Sequence, residues 1–341
     1  MKCLACKRCR DRGRPSTFTS SDGNEMKPAM IVFQLVHRLL VRTSVLRTSP
    51  SLPGRVWRRV LQFSTRRWDG EIVRATLHGR SVSLNFGNPY PFFVREFPTY
   101  NAPQVEAVLL AAEVLRRPVR VVDVGAAVGD TALLLLERCP LQLERIDCVE
   151  GDGRFFALLE ANLRGTVAVA HFATLSDTEG DVPALVRTQH QGTASAVGES
   201  RVPAVTLDQI IDRADVIKVD TDGYDGLILA GSKRLLSTKP VVLFEWHPIL
   251  CAHVGTDERA AFNVLSRFGY DRFIFFNKFG EFSQIMTGLD QDRLNALAQF
   301  CLTSKTLYDW HFDVLALAGP DLDLISVADL ERWAKRAHAS T

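Results

Sequence analysis

The chain has 341 residues, 46% hydrophobic and 23% charged, which excludes disordered and collagen-like classes and allows a sizeable buried core. The formal net charge of +2 hides an asymmetry: residues 1–67 hold 15 Lys/Arg against 3 Asp/Glu, and residues 68–341 carry −10. An acidic body behind a basic leader argues against a protein built to grip a nucleic acid backbone.

Residues 1–28 read as an unstructured leader. Cys3, Cys6 and Cys9 are spaced C-x2-C-x2-C, but three thiolates without a fourth ligand nearby make a poor zinc site, and no metal is expected. Met26 and Met30 stand just before the first convincing apolar segment, so residues 1–25 read as an over-long start. The seven cysteines are odd in number and mostly sit in apolar runs, which points to a reducing cytoplasm rather than a disulfide framework. Residues 29–46 are apolar with basic interruptions at His37, Arg38 and Arg42, which argue against a spanning helix. The basic character continues through Arg55, Arg58, Arg59, Arg66 and Arg67. Residues 29–67 therefore read in two ways: an amphipathic helix peripheral to an anionic membrane, or a helix packed on the body with a solvated basic face.

Residues 72–86 alternate across His78-Gly79-Arg80 and predict a β-hairpin. Tyr90, Phe92, Phe93 and Tyr100 follow, either as a roof over an acceptor pocket or as ordinary packing. Asn101 is placed to cap a helix running to residue 116. From residue 119 strands and helices alternate. Strands are predicted at 119–124, 145–149, 167–172, 216–219, 241–245 and 273–277, with 205–211 a strand end running into a short helix. Helices are predicted at 130–138, 155–163, 227–236 and 258–268. The fold class is α/β, a doubly wound, mostly parallel sheet with an N-terminal helix and hairpin extension. Residues 29–100 are the lead-in, 101–280 the ligand-binding domain and 281–341 a C-terminal helical extension, with a capped helix at 326–337. Ligands of such sheets bind beyond the strand carboxyl ends, where Asp123, Glu150, residues 172–177, Asp220 and Glu245 fall.

Asp123-Val124-Gly125-Ala126-Ala127-Val128-Gly129-Asp130 carries the strongest signal. Gly125 permits a tight turn after the strand, and Gly129 lets the next helix approach the sheet. No phosphate-loop or dinucleotide pattern is met, and Asp123 suits a ligand with a positive amino group better than a pyrophosphate. Glu150, at the end of the next strand, can accept both ribose hydroxyls of a nucleoside. Together they describe a pocket for S-adenosylmethionine, with adenine against the loop of the third strand.

In these motifs the chain resembles the FkbM-type S-adenosylmethionine-dependent methyltransferases. The resemblance runs in order through Asp123–Asp130, Glu150, Ala173-Thr174-Leu175-Ser176-Asp177-Thr178-Glu179-Gly180, Thr206-Leu207-Asp208, Lys218-Val219-Asp220-Thr221-Asp222-Gly223-Tyr224-Asp225 and Pro240–Glu245. It departs at Ala127, where Asn is usual, at the inserted Thr174, and at Asp222 and Asp225, where Glu is usual. The resemblance implies a class I, Rossmann-like methyltransferase fold. It implies cofactor contacts at Asp123, Gly125, Ala126, Gly129, Asp130, Thr131, Glu150, Leu175, Ser176 and Asp177. It also implies methyl transfer to a hydroxyl on a sugar, glycan or small metabolite.

Such transfer needs an acceptor in line and a group to take its proton. The candidates are Lys218, Asp220, Asp222, Glu245 and His247, the last because a neutral imidazole accepts a proton near pH 7. The acidic turn with Asp222 and Asp225 supplies too few ligands for a divalent ion. Two other functions fit less of the chain. A nucleic acid methyltransferase would need an N-P-P-[YF]-like motif where Asp220-Thr221-Asp222-Gly223 stands. A non-catalytic scaffold would be anchored by the basic segment.

Overall fold

The computed structural model describes residues 28–187, 194–304 and 310–318. The Cys3/Cys6/Cys9 run, the leader and the helix expected at 326–337 lie outside them. Helices α1 (Pro28–Arg42) and α2 (Leu52–Arg67) are joined through a 3-10 turn at Ser44–Leu46. Strands β1 (Ile72–Leu77) and β2 (Arg80–Asn85) then form the expected hairpin, turning on left-handed His78 and Gly79. Helices α3 (Tyr90–Glu96) and α4 (Ala102–Leu115) lead into the main sheet. Asn101 occupies the N-cap position of α4 in a left-handed conformation and makes no capping bond; its Oδ1 accepts from Gln104 Nε2 instead.

The main body runs β3 (Val119–Val124), α5 (Asp130–Arg138), β4 (Leu143–Glu150), α6 (Gly153–Leu163) and β5 (Ala168–Phe172). A hairpin, β6 (Gly180–Arg187) and β7 (Ala194–Ala204), interrupts it. The alternation resumes with α7 (Leu207–Ile210), β8 (Val216–Val219), α8 (Asp225–Ala230), α9 (Lys233–Ser237) and β9 (Val241–Trp246). The single helix expected at 227–236 is divided at Gly231, whose missing Cβ would fall 2.4 Å from the Ser176 carbonyl oxygen. Next come α10 (Pro248–Val254), α11 (Ala260–Arg267), β10 (Arg272–Asn277), β11 (Phe282–Thr287), α12 (Gln291–Thr303) and β12 (Phe312–Leu317).

The eight strands of the main sheet lie in the order β11-β10-β12-β9-β8-β3-β4-β5. The five from β9 to β5 are parallel, and β12, β10 and β11 add antiparallel pairs. This is the expected doubly wound sheet. Among the described residues of 281–341, α12 is helical as expected, but β11 and β12 are strands, and β12 runs through the sheet between β9 and β10, with Val314, Leu315, Ala316 and Leu317 fully buried. Both faces of the sheet are covered, so β3 sends Val119 and Val121 into one core and Val122 and Val124 into the other. Phe33, Leu40, Trp57, Leu84 and Phe92 join the first core, so α1, α2 and the hairpin pack on the body. Cys139, Cys148, Cys251 and Cys301 are buried free thiols. Among the described residues no helix is long and apolar enough to cross a membrane.

Candidate functional site

The turn after β3 is built by close approach. Gly125 has φ +73°, and a Cβ there would lie 1.9 Å from the Asp220 carbonyl oxygen. The Gly125 and Ala126 amides donate to the Val149 carbonyl at 3.0 and 3.1 Å, tying the turn to β4. Ala127 is left-handed (φ +45°), and Gly129 (φ +88°) lies against Leu159 and Leu163 of α6.

Glu150 closes this unit from the neighbouring strand. Its Oε2 accepts from the Ala127 amide at 2.8 Å, and its Oε1 accepts from the Asp152 amide at 2.7 Å. Each oxygen keeps a lone pair for a further donor. Burial pushes the carboxyl up to about 7, against the pull of these backbone donors. The turn and the acid are thus one hydrogen-bonded structure. At Ala127, the position where the family usually has Asn, it is the backbone that makes the link.

Lys218 and Asp123 are register partners on β8 and β3, so their side chains share one face of the sheet. Lys218 Nζ stands 2.9 Å from Asp123 Oδ1 and 3.5 Å from Asp220 Oδ2. Asp123 is fully buried, and burial raises its carboxyl pKa despite Lys218. Burial alone would lower the Lys218 pKa, but the carboxylates of Asp123, Asp220 and Asp130 outweigh it and hold the ammonium charged. Two expectations are corrected here. Asp123 faces Lys218 rather than a ligand amino group, and Lys218 is a fixed cation unfit to accept a proton.

A cavity opens over the strand ends. Gly125, Asp130, Thr131, Glu150, Thr174, Leu175, Lys218 and Asp220 line it. Phe155, Leu185 and Ala196 complete an apolar wall, the last two from the β6–β7 hairpin. Tyr90, Phe93 and Tyr100 line it too, with Asn88, Asn101, Thr221, Asp222 and Tyr224. Phe92 is instead packed edge-on to Trp57 in the core. Asp130, in the first turn of α5, has its carboxyl raised to about 7 by burial. Asp220 keeps a side chain 44% exposed within the cavity.

Several expected site residues lie elsewhere. Ala126 and Gly129 are structural parts of the turn, with Ala126 nearly fully buried. The Ser176 amide donates to the Val205 carbonyl and its hydroxyl to Asp177, away from the cavity. Glu245 is 3.3 Å from His311 Nε2 on β9's flank and does not line the cavity. Burial, reinforced by Asp220 and Asp222, pushes its carboxyl well up. His247 is buried at the N-cap of α10, where Nδ1 accepts from the Leu250 amide at 3.4 Å, and its ring leans on His311. It caps a helix and is not among the residues that line the cavity.

The acidic turn separates into two parts. Asp222, left-handed, lines the cavity, while buried Asp225 accepts from the Thr221 hydroxyl and the Gly223 amide. Among the described residues no group of three or more His, Cys, Asp or Glu side chains is placed to hold a metal ion.

The doubly wound sheet, the glycine turn after its central strand and the acid ending the next are assembled as the motifs predict. The profile of the methyltransferase FkbM domain matches residues 123–272. No curated protein matches the chain. Among solved structures it is similar to the methyltransferase FkbM of Methylobacillus flagellatus KT, at 22% identity and a TM-score of 0.34, over 44% of this chain and 37% of that one. It is similar to precorrin-6y C5,15-methyltransferase of Geobacter metallireducens GS-15, at 14% identity and TM-score 0.33, over 62% and 86%. It is also similar to the plantazolicin methyltransferase BpumL, at 9% identity and TM-score 0.33, over 86% and 100%.

Proposed function

We propose that the cavity binds S-adenosylmethionine and that the protein methylates a hydroxyl on a sugar, glycan or small metabolite. The observation that carries this reading is the Glu150 carboxylate, hydrogen-bonded to the glycine turn it faces and still able to accept two more donors. Gly125, packed tightly on the Asp220 backbone, brings the turn to the cavity lining, and Leu175, Leu185 and Ala196 suit the flat apolar face of a nucleobase. When bound, the sulfonium supplies an electrophilic methyl group.

The protein's own groups do the rest. Asp220 takes the acceptor's proton, since its carboxylate reaches the cavity and stays partly open to it. Lys218 fixes Asp220 from below and cancels part of the local negative charge. Tyr90, Phe93 and Tyr100 exclude water and offer faces to a sugar or apolar ring. Asp220 and Asp222 in the wall repel phosphate, which weighs against a nucleic acid acceptor.

Calorimetry with S-adenosylmethionine and S-adenosylhomocysteine, with mass spectrometry of acceptor mixtures, tests the proposal. Binding of both and a mass gain of one methyl group on a hydroxyl compound support it. Binding without turnover across broad panels identifies a cofactor-binding scaffold, and no binding removes the cofactor assignment.

A further inference from the structure

Helices α1 and α2 each have two apolar sides. Phe33, Leu40 and Trp57 are buried in the core, and the Trp57 indole N–H donates to Thr43 Oγ1 at 3.0 Å, so the pair is anchored on the body. The outer side is also apolar. Along α2, Leu52, Val56, Val60 and Phe63 recur at helical spacing and face solvent, with Phe63 68% exposed. Along α1, Ile31, Leu35 and Leu39 do the same, with Leu39 62% exposed. Val45, in the connecting turn, is 73% exposed. A monomer gains nothing from displaying such stripes to water.

Charge identifies what covers them. Residues 28–67 contain eight arginines and no Asp or Glu. Arg55, Arg59 and Arg66 are exposed on α2 among the apolar positions, and Arg38 and Arg42 on α1. Two copies meeting through this face would oppose arginine to arginine, and residues 1–27, themselves rich in Lys and Arg, would be repelled from it. Apolar side chains interspersed with arginines match an anionic lipid surface, where the former enter the acyl boundary and the latter meet headgroup charges.

We propose that the outer face of α1 and α2 docks the protein on anionic membranes. The docking face is tied to the cavity: Arg47, just after the connecting turn, lies 4.4 Å over the ring of Phe93 and 3.4 Å from Glu96 of α3. The proposal stands independently of the cofactor reading.

Co-sedimentation of the full chain with phosphatidylcholine vesicles, with and without phosphatidylserine, tests it. The protein should pellet with the anionic vesicles and stay in solution with the neutral ones. Replacing Arg55, Arg59 and Arg66 by Gln should weaken the anionic partition about a hundredfold. The Val60→Gln, Phe63→Gln pair, which alters only exposed side chains, should weaken it about tenfold without changing the thermal melt. Binding that ignores the apolar pair but follows the arginines would mark a general polyanion site and overturn the proposal. Failure to pellet, or a lipid-independent dimer that the apolar pair dissociates, would overturn it as well.

Discussion

Gly125→Ala probes the join between the glycine turn and β8 directly. The new Cβ would sit 1.9 Å from the Asp220 carbonyl oxygen, 2.9 Å from its carbon and 3.2 Å from Thr221 Cγ2, on a backbone at φ +73°. Left-handed backbone alone costs an alanine about 1–2 kcal/mol. Gly165 isolates that part, because it has φ +78° and nothing within 4 Å of a new Cβ. Displacing the Asp220 backbone adds about 1–3 kcal/mol, as overpacking does in a close-packed interior. Gly125→Ala should therefore lose about 2–5 kcal/mol in urea denaturation, and Gly165→Ala only the smaller share. Calorimetry should show affinity for S-adenosylhomocysteine falling more than about tenfold in the first variant and unchanged in the second. Equal stability losses at the two glycines would refute the steric reasoning. Unchanged affinity in a folded Gly125→Ala protein would refute the placement of the ligand against this turn.

Glu150→Gln keeps the shape but offers one acceptor oxygen where two backbone amides need one each, so cofactor affinity should drop by about 2–3 kcal/mol by calorimetry. The wild-type Glu150 carboxyl titrates at about 7, against 4.5 when unperturbed. Between these values the folded protein holds a proton that the unfolded chain has lost, so this group's contribution to stability declines as pH rises through the window. Ribose hydroxyls need the ionised form, so affinity should rise with pH across about 6 to 8 in wild type, and Glu150→Gln should flatten that part of the profile. Lys218→Met strands the buried Asp123 and should cost about 3–5 kcal/mol in denaturation, with Asp123→Asn restoring part of it. His247→Asn should preserve stability and turnover because Asn caps helices well, whereas His247→Ala should cost about 1 kcal/mol; lost turnover in the Asn variant would return His247 to the chemistry.

The central strands and the glycine turn were legible because local signals determine them: a β-branched apolar run, then glycines where the backbone must turn left-handed. Glu150 was legible for the same reason, since it directly ends such a run. The roles of Asp123 and Lys218 were misread, although their alternation with Val122, Val124, Ile217 and Val219 places both on one sheet face and could have paired them. The β6–β7 hairpin escaped notice because its residues are largely exposed or half-exposed, and Pro183, Gly198 and Pro203 interrupt any core-facing period. Leu185 and Ala196 reach the cavity only through that hairpin. Strand β12 was hidden because its identity comes from β9 and β10, which are distant in sequence. Tyr90, Phe93 and Tyr100 were noted as aromatic, but only the packing of α3 shows that they line the cavity while Phe92 does not.

The insertion of β12 between β9 and β10 bears on how the chain comes to be folded during synthesis. Until residue 317 has left the ribosome, β9 has an unsatisfied edge and the β10–β11 pair has no sheet to join. The half of the sheet beyond β9 must therefore assemble after translation of this strand, and every shorter nascent chain exposes a strand edge open to mispairing.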